Sequence, residues 1–585
     1  MDSSRFWWQG AAPAPDPGDP GDPIGQSLRF RGLQLLDGKQ GPQGDYTVSL
    51  WFKVSQTNPD INTANPYYQQ FTGSTSAGYG VGIWAGSIAN NQPGNANLSP
   101  AKYVDPSAWY HLVYNKDGAW INGKLEPTGA WALYSYPSGE NFLLGDVYNT
   151  GDNQYKLIGY MADVYCVEQT LPPETFGRFN ANGVWVPVAP SGLTYGANGF
   201  HLTFADPSDV GKDYSGSGND FTATGFETVD TSSSDYDLMQ DSPTQNYATI
   251  NPLYPDASTS KANLTTANAT GKPTILGIAG DVGVDGASVA WDGTEAGWTS
   301  TGAINFGQQP GGFDEFSTRT VPEPTIFDGR EHFQAITDTG ANILTTAQAA
   351  FPSGLWWIKD RVNANQHQLV DSVNNVSAVF TSPAGSVAAY VAPAGDSVAW
   401  CWNAEDASGG FSITNGTHGL GVRPAMVIDR AGNVWHQSLA AGQGLVIQSS
   451  GAAVSQAWTV NETRVGGPGG GTYYAWAAIP NYSAFGSYTG AFPFVYTGFK
   501  VAFVLYKNIA AGDWFIRDNA INPYNPTRYG FYTNYTFGEG DVAQLDFLSN
   551  GFKFRMVDNN QNDASGTWIW CAFAENPFNA PATAR

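Results

Sequence analysis

The chain has 585 residues, 14% of them aromatic and only 13% charged, and its 27 basic against 51 acidic side chains leave a formal charge of 27 − 51 = −24. That charge repels nucleic-acid phosphates and argues against a nucleic-acid partner, and no stretch approaches the ~20 apolar residues of a membrane span, so membrane insertion is not expected. With 69 Gly, 36 Pro, 20 Trp and 29 Tyr, the composition points to an all-β chain with little helix, because Gly and Pro supply turn dihedrals and aromatic side chains suit pleated, half-buried surfaces.

Residues 1–26 hold an aromatic patch, Phe6, Trp7 and Trp8, and then a Pro/Gly/Asp tract from Ala11 to Gly25. The tract reads as an extended linker that cannot build a core, and three adjacent aromatics at its tip predict a peptide that docks into a partner. The first residues lack the apolar run of a secretory signal, so synthesis in a cytoplasm is expected. From Ser27 strand-like runs follow: 27–30, 46–54, 109–114, 119–124, 141–145 and 159–165. Polar and apolar residues alternate in most of them, which predicts a sheet with one wet face. Asp117-Gly118 and Asn122-Gly123 mark hairpin turns. Cys166, Cys401 and Cys571, odd in number and far apart, read as small core residues rather than a disulfide framework or a metal knuckle.

The segments YTVSLWFKV, WYHLVYNKDGAWINGK, FLLGD and LIGYMADVYCVEQTLPPETF, in that order over about residues 27–180, resemble the laminin-G-like, concanavalin-A-type jelly-roll sandwich. The resemblance implies that fold, and carbohydrate or protein binding of a kind it does not fix. The next block, Phe200 to Phe226 with Asp241 to Leu253, resembles a signature of large structural proteins of tailed bacteriophages, especially marine ones. Between Tyr254 and Glu331 the chain is rich in Thr, Ala and Gly and reads as a connector or a small β domain.

The last third carries one β unit three times. The copies run through Leu355-Trp356-Trp357-Ile358-Lys359, Ala425-Met426-Val427-Ile428 and Ala502-Phe503-Val504-Leu505-Tyr506-Lys507, and they close on Val398-Ala399-Trp400-Cys401-Trp402, Tyr473-Tyr474-Ala475-Trp476-Ala477 and Thr567-Trp568-Ile569-Trp570-Cys571. Short apolar runs bounded by Gly, Pro and Asn fit buried strands better than helices. The extra length of the third copy is expected in loops, which tolerate insertion and carry recognition. These copies resemble the repeat domains at the ends of phage fibre proteins; the middle one departs, with Asp429-Arg430 where its sisters carry a lysine.

The domain boundaries that follow are 1–26, docking peptide and linker; 27–230, laminin-G-like sandwich with a C-terminal extension; 231–330, connector; and 331–406, 407–480 and 481–585, the three repeats. The expected fold class is all-β and multidomain, a jelly-roll sandwich followed by repeated β-sandwich units.

Chemistry-bearing motifs are sparse. No phosphate-binding Gly-rich loop ending in Lys-Ser/Thr, no Gly-x-Ser-x-Gly elbow and no His-Glu-x-x-His helix occurs, and the six histidines, His111, His201, His332, His367, His418 and His436, are dispersed. No catalytic residue and no cofactor is therefore expected. Asp281, Asp285, Asp292 and Glu295 depart from EF-hand spacing and read equally well as acidic turns, so metal stays open. Loop aromatics are the binding candidates, because sugar rings stack on them: Tyr67, Tyr68, Tyr134, Tyr136 and Tyr148 in the sandwich, and Tyr524, Tyr529 and Tyr532 in the long loop of the last repeat. The resemblance implies a non-enzymatic virion protein, a tail fibre or receptor-binding protein. It would be a homo-oligomer, most simply a trimer, joined by Phe6, Trp7 and Trp8 to other virion proteins and meeting a host surface glycan or protein with its repeats. A head fibre or capsid-decorating protein, and a tailspike glycan depolymerase, are the alternatives.

Overall fold

The aromatic runs do form strands, and their pairing partners lie far away in sequence. A computed structural model of the chain describes residues 24–246 apart from 33, 55–67, 76–79, 85, 92–96, 106–107, 128–135, 147–155, 227, 229–236 and 240; the strands 289–291 and 298–300; and 324–577 apart from 375–376, 380–386, 490–493, 556–561 and 564–565. The chain divides into two bodies, residues 1–323 with 579–585, and Pro324–Phe578. The aromatic patch Phe6, Trp7 and Trp8 and the carboxylates Asp281, Asp285, Asp292 and Glu295 lie outside the described residues. Among the described residues no helix is long and apolar enough to cross a membrane.

In the first body two antiparallel sheets face each other. One is built around Thr47–Val54, flanked by Tyr110–Asn115 and Ile158–Val167; the other carries Leu35–Gln40, Asn141–Leu144, Tyr68–Ser74 and Gly80–Trp84 side by side. Alternation decides which side chains meet between them: Phe52 packs tilted against Phe71 across the gap with ring centroids 4.3 Å apart, and Tyr114 shares a 2.8 Å hydrogen bond with Thr72. The hairpin 118–125 turns on Asn122 and Gly123, at φ 49° and 74°, as a two-residue turn between twisted strands requires.

The opposite face of the first sheet was expected to be wet and is instead covered; Thr47–Val54 and Tyr110–Asn115 are buried along their whole length. The cover comes from the blocks after the sandwich. Trp185 lies over His111. The Lys53 amine donates to Asp241 Oδ2 at 2.8 Å and to Asn246 Oδ1 at 2.7 Å, the Trp109 indole donates to Asp241 Oδ1 at 2.9 Å, and Arg29 meets Asp237. A lysine on a strand reads as a solvent marker; here it is the anchor of a returning segment. Unpaired, it would bear a penalty of several kcal/mol.

In the second body each copy contributes one antiparallel sheet, and the first four strands follow the same spatial order: first, last, second, third. In copy 1 these are Phe333–Thr339, Asp396–Asn403, Gly354–Asp360 and Gln368–Asp371; in copy 2, Phe411–Thr414, Tyr473–Trp476, Met426–Asp429 and Asn433–His436; in copy 3, Ser483–Thr489, Thr567–Pro577, Phe499–Asn508 and Trp514–Asp518. Register makes equivalence explicit. Leu355 opposes Trp402, Met426 opposes Trp476 and Phe503 opposes Phe573, while on the other side the same three residues oppose Asp371, His436 and Asp518.

The three sheets enclose one core to which every copy contributes. Trp402 of copy 1 packs edge-on against Trp476 of copy 2 at 5.5 Å and Phe573 of copy 3 at 5.5 Å. Asp371, His436 and Asp518, at equivalent positions, each bond to another copy: Tyr474 Oη donates to Asp371 Oδ2 at 2.8 Å, Trp400 Nε1 to Asp518 Oδ2 at 3.0 Å, and His436 Nε2 to the Trp570 carbonyl at 3.1 Å. The extra length of copy 3, expected as loop, is largely sheet: Thr527–Tyr532, Gly540–Leu548, Gly551–Phe554 and Phe494–Tyr496 widen it to eight strands. Leu545, Phe547, Phe552 and Phe554 are fully buried there, and that apolar alternation is what recruits them. The helix Ile343–Ala350 places Ile343 and Ala347, one turn apart, on Trp356, Ile358 and Cys401 of copy 1. All three cysteines are buried and unbridged, as small core residues.

Candidate functional site

Only folding could bring the dispersed histidines to partners, and for His111, His201, His367, His418 and His436 the partners it supplies are structural, while His332 is buried with its Nδ1 unmatched. Ser49 Oγ lies 2.8 Å from His111 Nε2, which taken alone resembles a nucleophile and its base. The Trp185 indole, which can only donate, sits 2.9 Å from His111 Nδ1. Nδ1 is therefore the acceptor, Nε2 carries the hydrogen and donates to Ser49, and the ring cannot take the serine proton. Burial holds this imidazole neutral, at a pKa of about 3. His367 repeats the device: Trp357 Nε1 donates to its Nδ1 at 2.9 Å, and its Nε2 donates to the Tyr532 carbonyl at 3.0 Å. In His436 and His418 backbone amides donate to Nδ1. His201 pairs with Asp163 at 2.7 Å and stacks on Tyr165 at 3.9 Å; Asp163 itself is held at φ 47°, where the register of its strand shifts. Among the described residues no group of three His, Cys, Asp or Glu is placed to hold a metal.

The aromatic candidates separate. Tyr67, Tyr134 and Tyr148 lie outside the described residues. Tyr68 is in the strand Tyr68–Ser74, paired with Trp84, rather than in a loop. Tyr136 is buried, its hydroxyl lying 2.8 Å from the carbonyls of both Gly73 and Asn141, which share its one hydrogen, so it is a structural tyrosine. Tyr529 and Tyr532, expected in a loop, lie in the strand Thr527–Tyr532, and Tyr524 is on the turn before it; all three are half-buried.

Tyr532 leads to a feature the sequence reading passed over. From the buried Phe515, rings step outward: Tyr532 at 4.9 Å from Phe515, Tyr535 at 5.7 Å from Tyr532, and Phe537 at 5.3 Å from Tyr535, the last pair stacked within 20°. The outer two are open to solvent, Tyr535 at 40% and Phe537 at 61% exposure. The segment that carries them is pinned from both sides. Thr533 Oγ1 donates to the Ile447 carbonyl at 2.5 Å, and Asn534 Nδ2 to Asp513 at 2.7 Å. The Lys359 amine donates to the Thr536 carbonyl at 3.0 Å, and burial lowers that lysine to about 8. Arg361 grips Glu539 through two bonds, Nε to Oε2 at 2.7 Å and Nη2 to Oε1 at 3.3 Å, while the Glu539 amide donates to the Arg361 carbonyl at 2.8 Å. Gly538 is required at the closest approach, because a Cβ there would lie 2.6 Å from the Arg361 carbonyl oxygen. Tyr535 and Phe537 sit two residues apart in NYTFGEG; the available signal was that spacing beside Asn and Gly, which reads equally as strand.

Residues 407–577 match a domain of unknown function (DUF7483), a span that takes in copies 2 and 3 and leaves out copy 1. No curated protein matches the chain. Among solved structures, a presumptive carbohydrate-binding protein of Bacteroides ovatus is 13% identical over 34% of this chain and 58% of its own, with a TM-score of 0.25. A heptameric SAP-like pentraxin of Limulus polyphemus is 15% identical over 26% and 79%, with a TM-score of 0.21. Domain 4 of the extracellular arabinanase AbnA of Geobacillus stearothermophilus, in complex with arabinotriose, is 18% identical over 26% and 75%, with a TM-score of 0.20. The chain thus spans less than two thirds of the first of these, and likenesses this slight carry no argument about function.

Proposed function

We propose that the chain is a non-enzymatic adhesion protein of a tailed-phage virion, a tail fibre or receptor-binding protein made in the host cytoplasm, whose repeat body meets the cell surface. The observation that supports this reading best is the pinned outward step of Tyr535 and Phe537. Surface aromatics on a braced segment favour binding over turnover, since they offer contact area without a nucleophile or an acid–base pair. In this reading Phe6, Trp7 and Trp8 dock the protein to its particle, and the assembled form is a homotrimer. The test is imaging of virions with an antibody against residues 331–585, beside adsorption to cells of the bacterium that supports the virus. Labelled particles and a protein that competes for adsorption without releasing oligosaccharides are the expected result. Release of oligosaccharides would move the chain to the depolymerases. Particles lacking residues 1–10 of this chain should carry none of the protein; normal occupancy would place docking elsewhere.

A further inference from the structure

The braced segment 533–539 suggests more than generic adhesion, because its chemistry is selective. Two rings stacked within 20° and exposed at 40% and 61% lose apolar hydration only when something covers them, and a segment tied to Ile447, Asp513, Lys359 and Arg361 cannot fold inward to do so itself. The open area is two rings, far short of the roughly 800 Å² per partner of a standard protein interface, so a small, repeating ligand fits better than a protein face. The polar groups beside it are already balanced. Arg361 is bound to Glu539, and the Lys359 amine is held by the carbonyls of Asp360 and Thr536. The Arg361 charge is already neutralised by Glu539, and a chain of net charge −24 repels an anionic group on approach. A hydroxyl carries no charge and meets no such repulsion. A guanidinium has five N–H donors, of which the Arg361–Glu539 pair uses Nε and one Nη2 hydrogen, so donors and carboxylate lone pairs lie side by side, as a hydroxyl that both gives and accepts requires.

We propose that Tyr535 and Phe537, with the Arg361–Glu539 pair at their base, form a binding site for an uncharged pyranose glycan, the apolar face of a sugar ring lying on the aromatic step and its hydroxyls reaching the ion pair. This assignment rests on the adhesion reading and narrows it to a ligand class. The experiment is affinity electrophoresis of the full chain in native gels containing dextran, amylopectin or galactomannan, with chondroitin sulfate as the anionic counterpart, for the wild type and for Tyr535→Ala and Phe537→Ala, beside adsorption of the same proteins to cells. Retardation by at least one neutral polymer, weakened tenfold or more by either substitution with an unchanged unfolding temperature, is the expected result. Equal retardation of the variants and the wild type would overturn the site. Retardation by chondroitin sulfate alone, or by none of the polymers in a protein that still adsorbs to cells, would overturn the ligand class and leave adhesion standing; a protein that neither adsorbs nor is retarded would overturn both.

Discussion

His111, His367 and His436 share one chemical state, a neutral ring with Nδ1 accepting and Nε2 donating, and that state ties stability to pH. Burial lowers all three, to about 3, 3 and 4, with the nearby Lys359 charge adding to the effect at His367. In the unfolded chain each would titrate near 6.5. Between the two values the unfolded state binds protons that the folded state refuses, so stability is complete above about pH 6.5 and falls as the pH drops toward 3. At pH 5 the loss is on the order of 2 kcal/mol per histidine. Burial raises carboxylates such as Asp213 and Asp360, but their hydrogen bonds outweigh it and hold both below the usual carboxylate range, so they stay charged at pH 5. Calorimetry at pH 7 and pH 5 should show both unfolding temperatures falling, with the fall in the repeat body reduced in His436→Gln; pH-independent midpoints in this range would show that the rings protonate without cost. None of this is legible in sequence, since a histidine's tautomer is set by a donor such as Trp185, 74 residues away.

At the scale of elements, local signals were legible and their partners were not. The turn at Asn122-Gly123 follows from the dipeptide alone, but what makes Gly123 irreplaceable is the Trp185 ring, 2.3 Å from where its Cβ would stand. Gly123→Ala therefore combines a left-handed backbone penalty with a steric clash and should cost about 2–4 kcal/mol of sandwich stability, readable as a lower denaturant midpoint for the first body and an unchanged one for the second. The repeated tryptophan strands were visible as apolar runs, whereas the role of Trp400 depends on Asp518, a buried carboxylate that burial raises and that the indole and the amides of Ala520 and Ile521 stabilise. Trp400→Phe keeps an aromatic ring but removes the N–H together with part of the buried indole, so it should destabilise the repeat body by about 1–3 kcal/mol. Adding Asp518→Asn to that variant removes the unmatched charge and should restore most of the loss; a double variant as unstable as the single one would mean that indole packing, not the hydrogen bond, sets the cost. The Tyr535–Phe537 step escaped notice for the opposite reason, since two alternating aromatics look like core until the strand is seen to end at Tyr532.

At the scale of the whole molecule, a family match and a folding unit draw different boundaries. The match covers residues 407–577, yet the second body begins at Pro324, and copy 1 supplies Phe333, Leu355, Trp357, Trp400 and Trp402 to the common core. Removing copy 1 would uncover the faces of Trp476, Phe503 and Phe573 that now meet Trp402, and would strip Tyr474 and Asp518 of their cross-copy partners Asp371 and Trp400. Each large aromatic returned to water costs about 5 kcal/mol as an upper bound, and a few such losses match the 5–15 kcal/mol that holds a typical domain together. Residues 324–578 alone should therefore unfold in one sharp transition, and residues 407–578 should show none, binding a hydrophobic dye and losing near-ultraviolet dichroism. Two independent transitions in 324–578, or a cooperative fold in 407–578, would mean that the copies are separable domains and that the shared tryptophan core is a consequence of their contact rather than its cause.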